Sequence, residues 1–279
     1  VDVSIIIVSY NTKKLLLECI KSIKKYTVGV EYELIVVDNA SSDGTVDAIR
    51  NLQLIENKEN RGFGAANNQG IEIAKGRYIL LLNPDTELTE DSISKMVEWM
   101  DLNTKVGIAT CKLHNTDGSI QPTGGFFPNI FRVFLWMNSV GFYHPKAYFY
   151  NQERNLDWVT GAFFLMKRDV IGDIKGFDED YFMYVEEVDL CYRAKRSGWQ
   201  IWYMPITSVI HHKGASGTAE NMIIREFQGL VLFYRKYYGL LERLLLKIFL
   251  IYGCLVRVLV FVIIKPSRAK VYVHAITKI

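Results

Sequence analysis

The sequence has few of the residues that punctuate or cross-link a chain: 6 Pro, 20 Gly and 4 Cys in 279 residues. So little Pro and Gly excludes a collagen-like or low-complexity chain. The cysteines Cys19, Cys111, Cys191 and Cys254 stand far apart with no CxxC pair. That argues against a zinc knuckle, a thioredoxin-type centre or a disulfide framework, and predicts free buried thiols in a reducing compartment. There is no HExxH or HxxxH pattern, no GxSxG elbow and no GxxxxGK[ST] loop, which disfavours zinc hydrolases, α/β-hydrolases and P-loop enzymes. Gly62-Phe63-Gly64 begins a GxG, but Asn67 stands where a dinucleotide fingerprint needs its third glycine. No internal repeat and no leader pattern is visible, and the chain is in a strand pattern by Val3.

What is present is a globular composition, 49% hydrophobic and 23% charged, which excludes intrinsic disorder. The length suits one large α/β domain whose core needs no disulfide or structural metal. The net charge of +3 conceals an asymmetry. From Arg235 onward there are nine Lys or Arg against Glu242 alone, a net +8, which leaves residues 1–234 at −5. A mildly acidic body with a basic, very apolar tail is not the layout of a nucleic-acid binder. It suggests a soluble domain with a membrane-surface foot.

The first third alternates strands and helices. Val3–Val8 is a continuous β-branched run, as in a strand buried on both faces. Leu15, Leu16, Cys19, Ile20 and Ile23 then repeat with helical spacing. Strands are expected at Leu34–Val37, Leu52–Ile55 and Tyr78–Leu82, helices around Val46–Arg50 and at Ala65–Ala74, and a helix capped by Thr89 or Asp91. This order predicts a mostly parallel sheet flanked by helices, with ligands beyond the carboxyl ends of the strands. Tyr10-Asn11, Asp38 and Asn83-Pro84-Asp85 stand at such ends. Residues 112–155 lack periodicity and read as irregular, substrate-facing loops. Beyond them, Trp158–Met166 reads as a strand, Tyr181–Ser197 as a helix or helix pair, and Gln200–Met204 and Ser208–Ile210 as short strands.

Four constellations carry possible chemistry. Asp38 could accept a hydrogen bond from the imide of a pyrimidine base; the plainer reading is a turn residue bonded to its own backbone. Asp85 is a plausible hard-cation ligand, although Asn, Pro and Asp together are also turn formers. Glu186-Glu187-Val188-Asp189 crowds three carboxylates into a strongly apolar run, which favours a base working near neutral pH over a solvated first turn. His211-His212 follows an apolar strand and could supply a metal ligand or a merely structural imidazole.

Taken in order, Ser9-Tyr10-Asn11, Val36–Thr45, Asn60–Asn67, Asn83-Pro84-Asp85, Trp158–Ala162, Gly176–Glu179, Tyr184–Leu190 and His211 with Gly214 and Ser216 resemble one family. It is the inverting family-two glycosyltransferases of the GT-A fold. Within them the chain is most similar to the rhamnosyltransferase-like branch of bacterial cell-surface polysaccharide synthesis. The resemblance spans about residues 3–217. It implies that Asp38 binds the pyrimidine, with Tyr10 nearby, and that Asn60, Arg61, Gly62 and Asn67 line the nucleoside and diphosphate. Asp85 is then the metal-binding acid of the family's Asp-x-Asp motif, with Asn83 in place of the first acid. His211 becomes the second ligand to Mg²⁺ or Mn²⁺. Trp158, Gly161 and Asp178 would shape the sugar and acceptor pocket. Glu187 occupies the base position, with Glu186 and Asp189 as alternatives. A dTDP- or UDP-sugar donor, with dTDP-rhamnose favoured, and a glycan or lipid-linked acceptor follow from the same resemblance.

The expected organisation is a transferase domain over 1–234 (a nucleotide-binding half to about 110, then an acceptor and catalytic half) and a tail over 235–279. In the tail, Leu244–Ile264 carries only Lys247 and Arg257 as charges. On a helix, Arg243, Lys247, Arg257 and Lys265 fall within roughly an 80° arc, which favours a helix lying in the membrane interface with its basic edge toward headgroups. A spanning helix, a packed helix pair and an oligomer contact are the alternatives. The expected location is cytoplasmic and peripheral on the inner face of the plasma membrane. Rival functions are a sugar-nucleotide pyrophosphorylase, which would need a glycine-rich basic loop after the first strand, and a non-catalytic sugar-nucleotide-binding scaffold.

Overall fold

A computed structural model describes residues 1–138, 147–212 and 219–279, and side chains from Met222 in the last stretch. Gly214 and Ser216 lie outside the described residues. The chain opens with β1 (Val3–Ser9), α1 (Lys13–Tyr26), β2 (Tyr32–Asp38), α2 (Thr45–Ile49), β3 (Gln53–Glu56), α3 (Phe63–Ile73) and β4 (Tyr78–Leu82). β1 to β4 pair in parallel in the order β3-β2-β1-β4. Ile5 and Ile7 of β1 pack with Leu16, Cys19, Ile20 and Ile23 of α1. Ile6 packs on the other face with Ala66 and Ile71 of α3. Burial on both faces is why β1 and β4 read as unbroken apolar runs.

The chain continues with β5 (Thr86–Leu88), α4 (Ser92–Leu102), β6 (Val106–His114), β7 (Ile120–Gln121), β8 (Gly124–Gly125) and α5 (Ile130–Met137). Asp91 caps α4 by accepting from Ser94 N at 3.3 Å. The expected irregular stretch therefore contains a helix, α5, whose eight residues are too few to show a full apolar repeat. Next come β9 (Arg154–Asn155), β10 (Trp158–Val159), β11 (Phe163–Lys167), α6 (Arg168–Ile174), α7 (Glu186–Arg196) and β12 (Gln200–His211). The mixed sheet extends from β4 through β11, β6 and β12 to β5, with β11 and β5 antiparallel to their neighbours.

Three expectations change here. Trp158–Met166 is two strands: β10 pairs with β8 in a separate small sheet, and the turn at Thr160-Gly161 redirects the chain into β11. Gln200–His211 is one strand with a bulge between Tyr203 and Ser208, not two. The helix expected from Tyr181 begins only at Glu186, because Tyr184 (φ +69°) and Val185 (φ +70°) are left-handed. A β-branched residue there is strained by about 1–3 kcal/mol and persists only where its surroundings impose it.

The tail forms α8 (Ala219–Tyr237), α9 (Leu240–Ile264) and α10 (Pro266–Ile276), and the expected boundary at 234 falls inside α8. Helix α8 presses Gly229 onto the strained turn: a Cβ there would lie 2.8 Å from Tyr184 O and 2.7 Å from Val185 Cγ2. Helix α9 buries Leu246, Leu250, Gly253 and Cys254 and packs on α5, while α10 folds back along it with Tyr272 stacked on Phe261. Of the basic edge expected to face lipid, Arg243 and Arg257 face protein instead, while Lys247 and Lys265 are exposed. Arg243 donates to Tyr238 O (2.8 Å) and Arg235 O (2.6 Å), at the end of α8. Arg257 donates to Met137 O (2.7 Å) and Trp136 O (3.2 Å), at the end of α5. Guanidinium groups donate to helix-terminal carbonyls and oppose the negative ends of two dipoles. The opposite face of α9, including Leu244, Ile248, Leu255 and Leu259, is exposed and uncharged.

Candidate active site

The loops after β1 and β2 lie side by side because Ser9 is paired with Asp38. Asn11 ties them together, accepting from Ser42 N at 2.8 Å while its own N–H donates to Ser41 Oγ at 2.9 Å. Asp38 is fully buried; Oδ1 accepts from Ser41 N at 2.8 Å, and Oδ2 has no partner. One oxygen of Asp38 thus makes the turn, and the other is an unsatisfied acceptor. A buried acceptor left alone is costly, and a ligand donor at that position would remove the cost. Tyr10 is exposed beside it.

Asn39, which sequence reasoning gave no role, organises the neighbouring loop. Its amide donates to Asn60 Oδ1 (3.0 Å) and Gly62 O (3.1 Å), and its oxygen accepts from Asn57 Nδ2 and Arg61 N. Gly62 has φ +85°, and a Cβ there would stand 2.2 Å from Phe182 O. Only glycine fits, and the close approach lets Phe63 N donate to Phe182 O at 2.8 Å. That bond clamps the 60–63 loop to the turn preceding α7. Arg61 pairs with Glu179 at the surface at 3.3 Å. Asn67 departs from its expected place on the ligand: it is buried in α3 and donates to Phe63 O in its own helix.

A second group forms where β5 runs antiparallel to the end of β12 and sets Thr86 opposite His211. His211 Nε2 then lies 3.1 Å from Asp85 Oδ1 and 3.3 Å from Asn83 Nδ2, with Asp85 buried. Nδ1 lies 2.7 Å from Gln121 Oε1. An imidazole nitrogen held against a buried carboxylate oxygen is a donor set that fits a divalent cation. Among the described residues no third acidic, histidine or cysteine side chain joins them.

The turn 160–162 connects this group to the acids. Ala162 O accepts from Asn83 N (3.3 Å) and Thr86 Oγ1 (3.1 Å), while Gly161 N donates to Glu187 Oε1 at 3.3 Å. The three acids of α7 separate by environment. Glu187 is half-buried, and burial raises its carboxyl above the usual range. Glu186 is buried with Oε2 unpartnered; burial, then the charge of Glu187, raises its carboxyl well above the usual range. Asp189 is fully buried but accepts from Arg193 Nε (2.7 Å) and Tyr237 OH (2.7 Å), so it anchors α7 to α8 and is withdrawn as an alternative base. Asp178, expected in the acceptor pocket, pairs with Lys236 of α8. Trp158 is buried, and its indole N–H donates to Phe126 O. A further acid, Glu226 of α8, is pushed up to about 7 by burial and then by Glu187. Only the packing of α8 could reveal it, since it lies 39 residues from Glu187 in sequence.

Because Glu186 holds its proton more tightly folded than unfolded, stability should fall as pH rises from about 4.5 through its folded value. Wild type is therefore expected to lose stability relative to Glu186→Gln as pH rises above about 4.5, at up to about 1.4 kcal/mol per pH unit. Denaturant midpoints across that range measure it, and a difference that stays constant with pH would refute the assignment.

The family description "Glycosyl transferase family 2" matches residues 4–174, more than half of the chain. The chain belongs to glycosyltransferase family 2. This transferase is 30% identical over 206 residues to the N-acetylglucosaminyl-diphospho-decaprenol L-rhamnosyltransferase of Mycobacterium tuberculosis, covering 66% of the chain and 67% of that relative. It is 28% identical over 163 residues to the rhamnosyltransferase WbbL of Escherichia coli, covering 54% and 61%. Among solved structures it resembles the mannosyltransferase PcManGT of Pyrobaculum calidifontis in complex with GDP-Man and Mn²⁺. The TM-score is 0.60 at 19% identity, over 98% of this chain and 73% of that one. The transferase has the GT-A fold, a mixed sheet between helical layers. The pyrophosphorylase and scaffold alternatives give way to a glycosyltransferase.

Proposed function

We propose that this transferase moves rhamnose from dTDP-rhamnose to a lipid-linked glycan at a membrane surface, inverting the anomeric carbon, in bacterial cell-surface polysaccharide synthesis. The observation that carries the reading is one turn, 160–162, hydrogen-bonded on one side to Asn83 and Thr86, which flank Asp85, and on the other to Glu187. The choice of rhamnose rests on similarity to two rhamnosyltransferases.

Asp38 receives the base, its unpartnered Oδ2 accepting the imide N–H, and Asn60 and Gly62 border the nucleoside. Asp85 and His211 would hold Mg²⁺ or Mn²⁺ as an oxygen and a nitrogen ligand. Such a cation stabilises the charge that develops on the departing diphosphate. Glu187 accepts the proton of an acceptor hydroxyl as that oxygen bonds the anomeric carbon and the bond to the diphosphate breaks on the opposite face. Glu186 beside it holds its proton more tightly, because it is the more deeply buried of the two and faces the charge of Glu187. Gly161 in that turn and Trp158 on the strand leading into it shape the sugar pocket.

The exposed face of α9 rests on lipid at the cytoplasmic leaflet, with exposed Lys247, Lys265 and Lys270 at its borders toward anionic headgroups. A span is disfavoured because Leu250, Gly253 and Cys254 in the middle of α9 are buried where it packs on α5, and Arg257 is engaged with α5 carbonyls. The relative's printed name, with its decaprenol-linked substrate, supports an acceptor held at such a surface.

A thermal-shift panel of dTDP-rhamnose, UDP-glucose, UDP-N-acetylglucosamine and GDP-mannose with Mn²⁺ tests the donor. At 100-fold excess over Kd, the matching donor adds about 2.7 kcal/mol, a shift of several degrees. dTDP-rhamnose is expected to give that shift, and Asp85→Ala to remove its Mn²⁺-dependent part. A shift with a UDP-hexose alone would reassign the donor, and no shift with any of them would sink the reading.

A further inference from the structure

The hydrogen bonds around His211 have a direction that can be read from one end to the other. Gln121 on β7 is almost fully buried. Its Nε2 lies 2.8 Å from Asn115 Oδ1 and 3.3 Å from the backbone carbonyl of His211. A backbone carbonyl only accepts, so that end of the amide is its donor. Asn115 is fixed in the same sense, because its Nδ2 lies 2.8 Å from Ser119 Oγ, and that hydroxyl donates to Asp117 Oδ1 at 2.6 Å. The remaining end of Gln121, Oε1, is an acceptor 2.7 Å from His211 Nδ1. His211 must therefore carry its proton on Nδ1, and the neutral ring presents a lone pair at Nε2, where Asn83 Nδ2 donates and Asp85 Oδ1 stands 3.1 Å away.

We infer that Gln121 is a positioning residue: it fixes the ring tautomer of His211, so that Nε2 and Asp85 together face a divalent cation as two lone-pair donors. The cation part rests on the reading of Asp85 and His211 given above; the tautomer part stands without it. Without the Gln121 acceptor, His211 would hold its proton on Nε2 and donate it to Asp85 Oδ1. The group would then close on itself and leave the ion no nitrogen ligand. Partners behind a metal-bound histidine typically change metal affinity by about 10–100-fold.

The test uses the full chain at about pH 8, where an ordinary imidazole is neutral. Long-range ¹H–¹⁵N correlation of ¹⁵N-histidine-labelled, metal-free protein reads the tautomer, with His211 assigned by its loss in His211→Gln. Titration calorimetry with Mn²⁺ alone reads affinity. Wild type should show Nδ1–H. Gln121→Met, close in shape but without an acceptor, should shift the ring toward Nε2–H and weaken Mn²⁺ about 10–100-fold. Gln121→Glu, which keeps an oxygen acceptor, should restore the Nδ1–H pattern. If Gln121→Met does not fold, Gln121→Leu, which also lacks an acceptor, should move both readouts in the same direction. A folded variant that keeps the wild-type tautomer and the wild-type Mn²⁺ affinity overturns the inference. Wild type that binds no Mn²⁺ defeats the cation reading instead, and the tautomer spectra still decide the role of Gln121.

Discussion

Glu187→Gln is expected to lower turnover about 10³-fold while nucleotide-sugar affinity stays within a few-fold of wild type. Glutamine preserves the size of the side chain and its hydrogen bond from Gly161 N but cannot take a proton from the acceptor hydroxyl. The loss should therefore appear in kcat, the signature of an interaction made in the transition state. The neighbouring acids supply the controls. Glu186→Gln should leave turnover within about tenfold, because burial and the charge of Glu187 already keep that carboxyl neutral. Asp189→Asn should act through stability, by about 3 kcal/mol, since it leaves Arg193 without its buried anion. Initial rates with donor and acceptor, alongside unfolding midpoints, separate the three. Near-normal turnover in Glu187→Gln would remove it as the base and direct attention to Glu226, the remaining acid with a raised value at this site.

The second large effect concerns the tail. Ile248→Glu with Leu255→Glu and Leu259→Glu, all on the exposed face of α9, is expected to release the protein from phosphatidylglycerol–phosphatidylethanolamine vesicles. Each apolar side chain removed from lipid forfeits about 1.5–3 kcal/mol, so the three together weaken binding by well over 10²-fold. Soluble-acceptor transfer and the unfolding midpoint should be nearly unchanged, because none of the three is buried in the protein. Arg257→Gln is predicted to do the reverse. It should destabilise the fold, removing the guanidinium donors to Met137 O and Trp136 O at the end of α5, and should spare vesicle binding. Co-sedimentation and sedimentation velocity read these outcomes. Wild type that stays in the supernatant with vesicles would refute lipid contact, and a lipid-free dimer lost in the triple variant would give the face to a second copy of the chain.

The two arginines mark where a sequence argument stops. Helical spacing placed Arg243, Lys247, Arg257 and Lys265 on one arc, and that geometry holds. Spacing cannot say which way each member of an arc faces, and here Arg243 and Arg257 turn toward the carbonyls at the ends of α8 and α5 while Lys247 and Lys265 stay exposed. The stripe shared by Leu250 and Cys254 was the signal that this edge packs inward. In the same way, Glu186-Glu187-Val188-Asp189 was recognisable as a cluster of acids. Their division into a neutral neighbour, a base candidate and a structural anchor depends on Tyr237, Arg193 and Gly161, brought together from α8, α7 and the 160–162 turn.

Local chemistry in the sequence was enough for the parallel strands, because a strand covered on both faces must be apolar throughout. It was also enough to place Asp38, Asp85 and His211 at the ends of buried strands, where a sheet of this kind meets its ligands. Tertiary structure alone decided the strained turn at Tyr184-Val185, the direction of the Gln121–His211 hydrogen bond, the retirement of Asn67 and Asp189 to structural roles, and the inward edge of α9. Each of these depends on a partner distant in sequence, and neither periodicity nor residue type records which partner packing will supply.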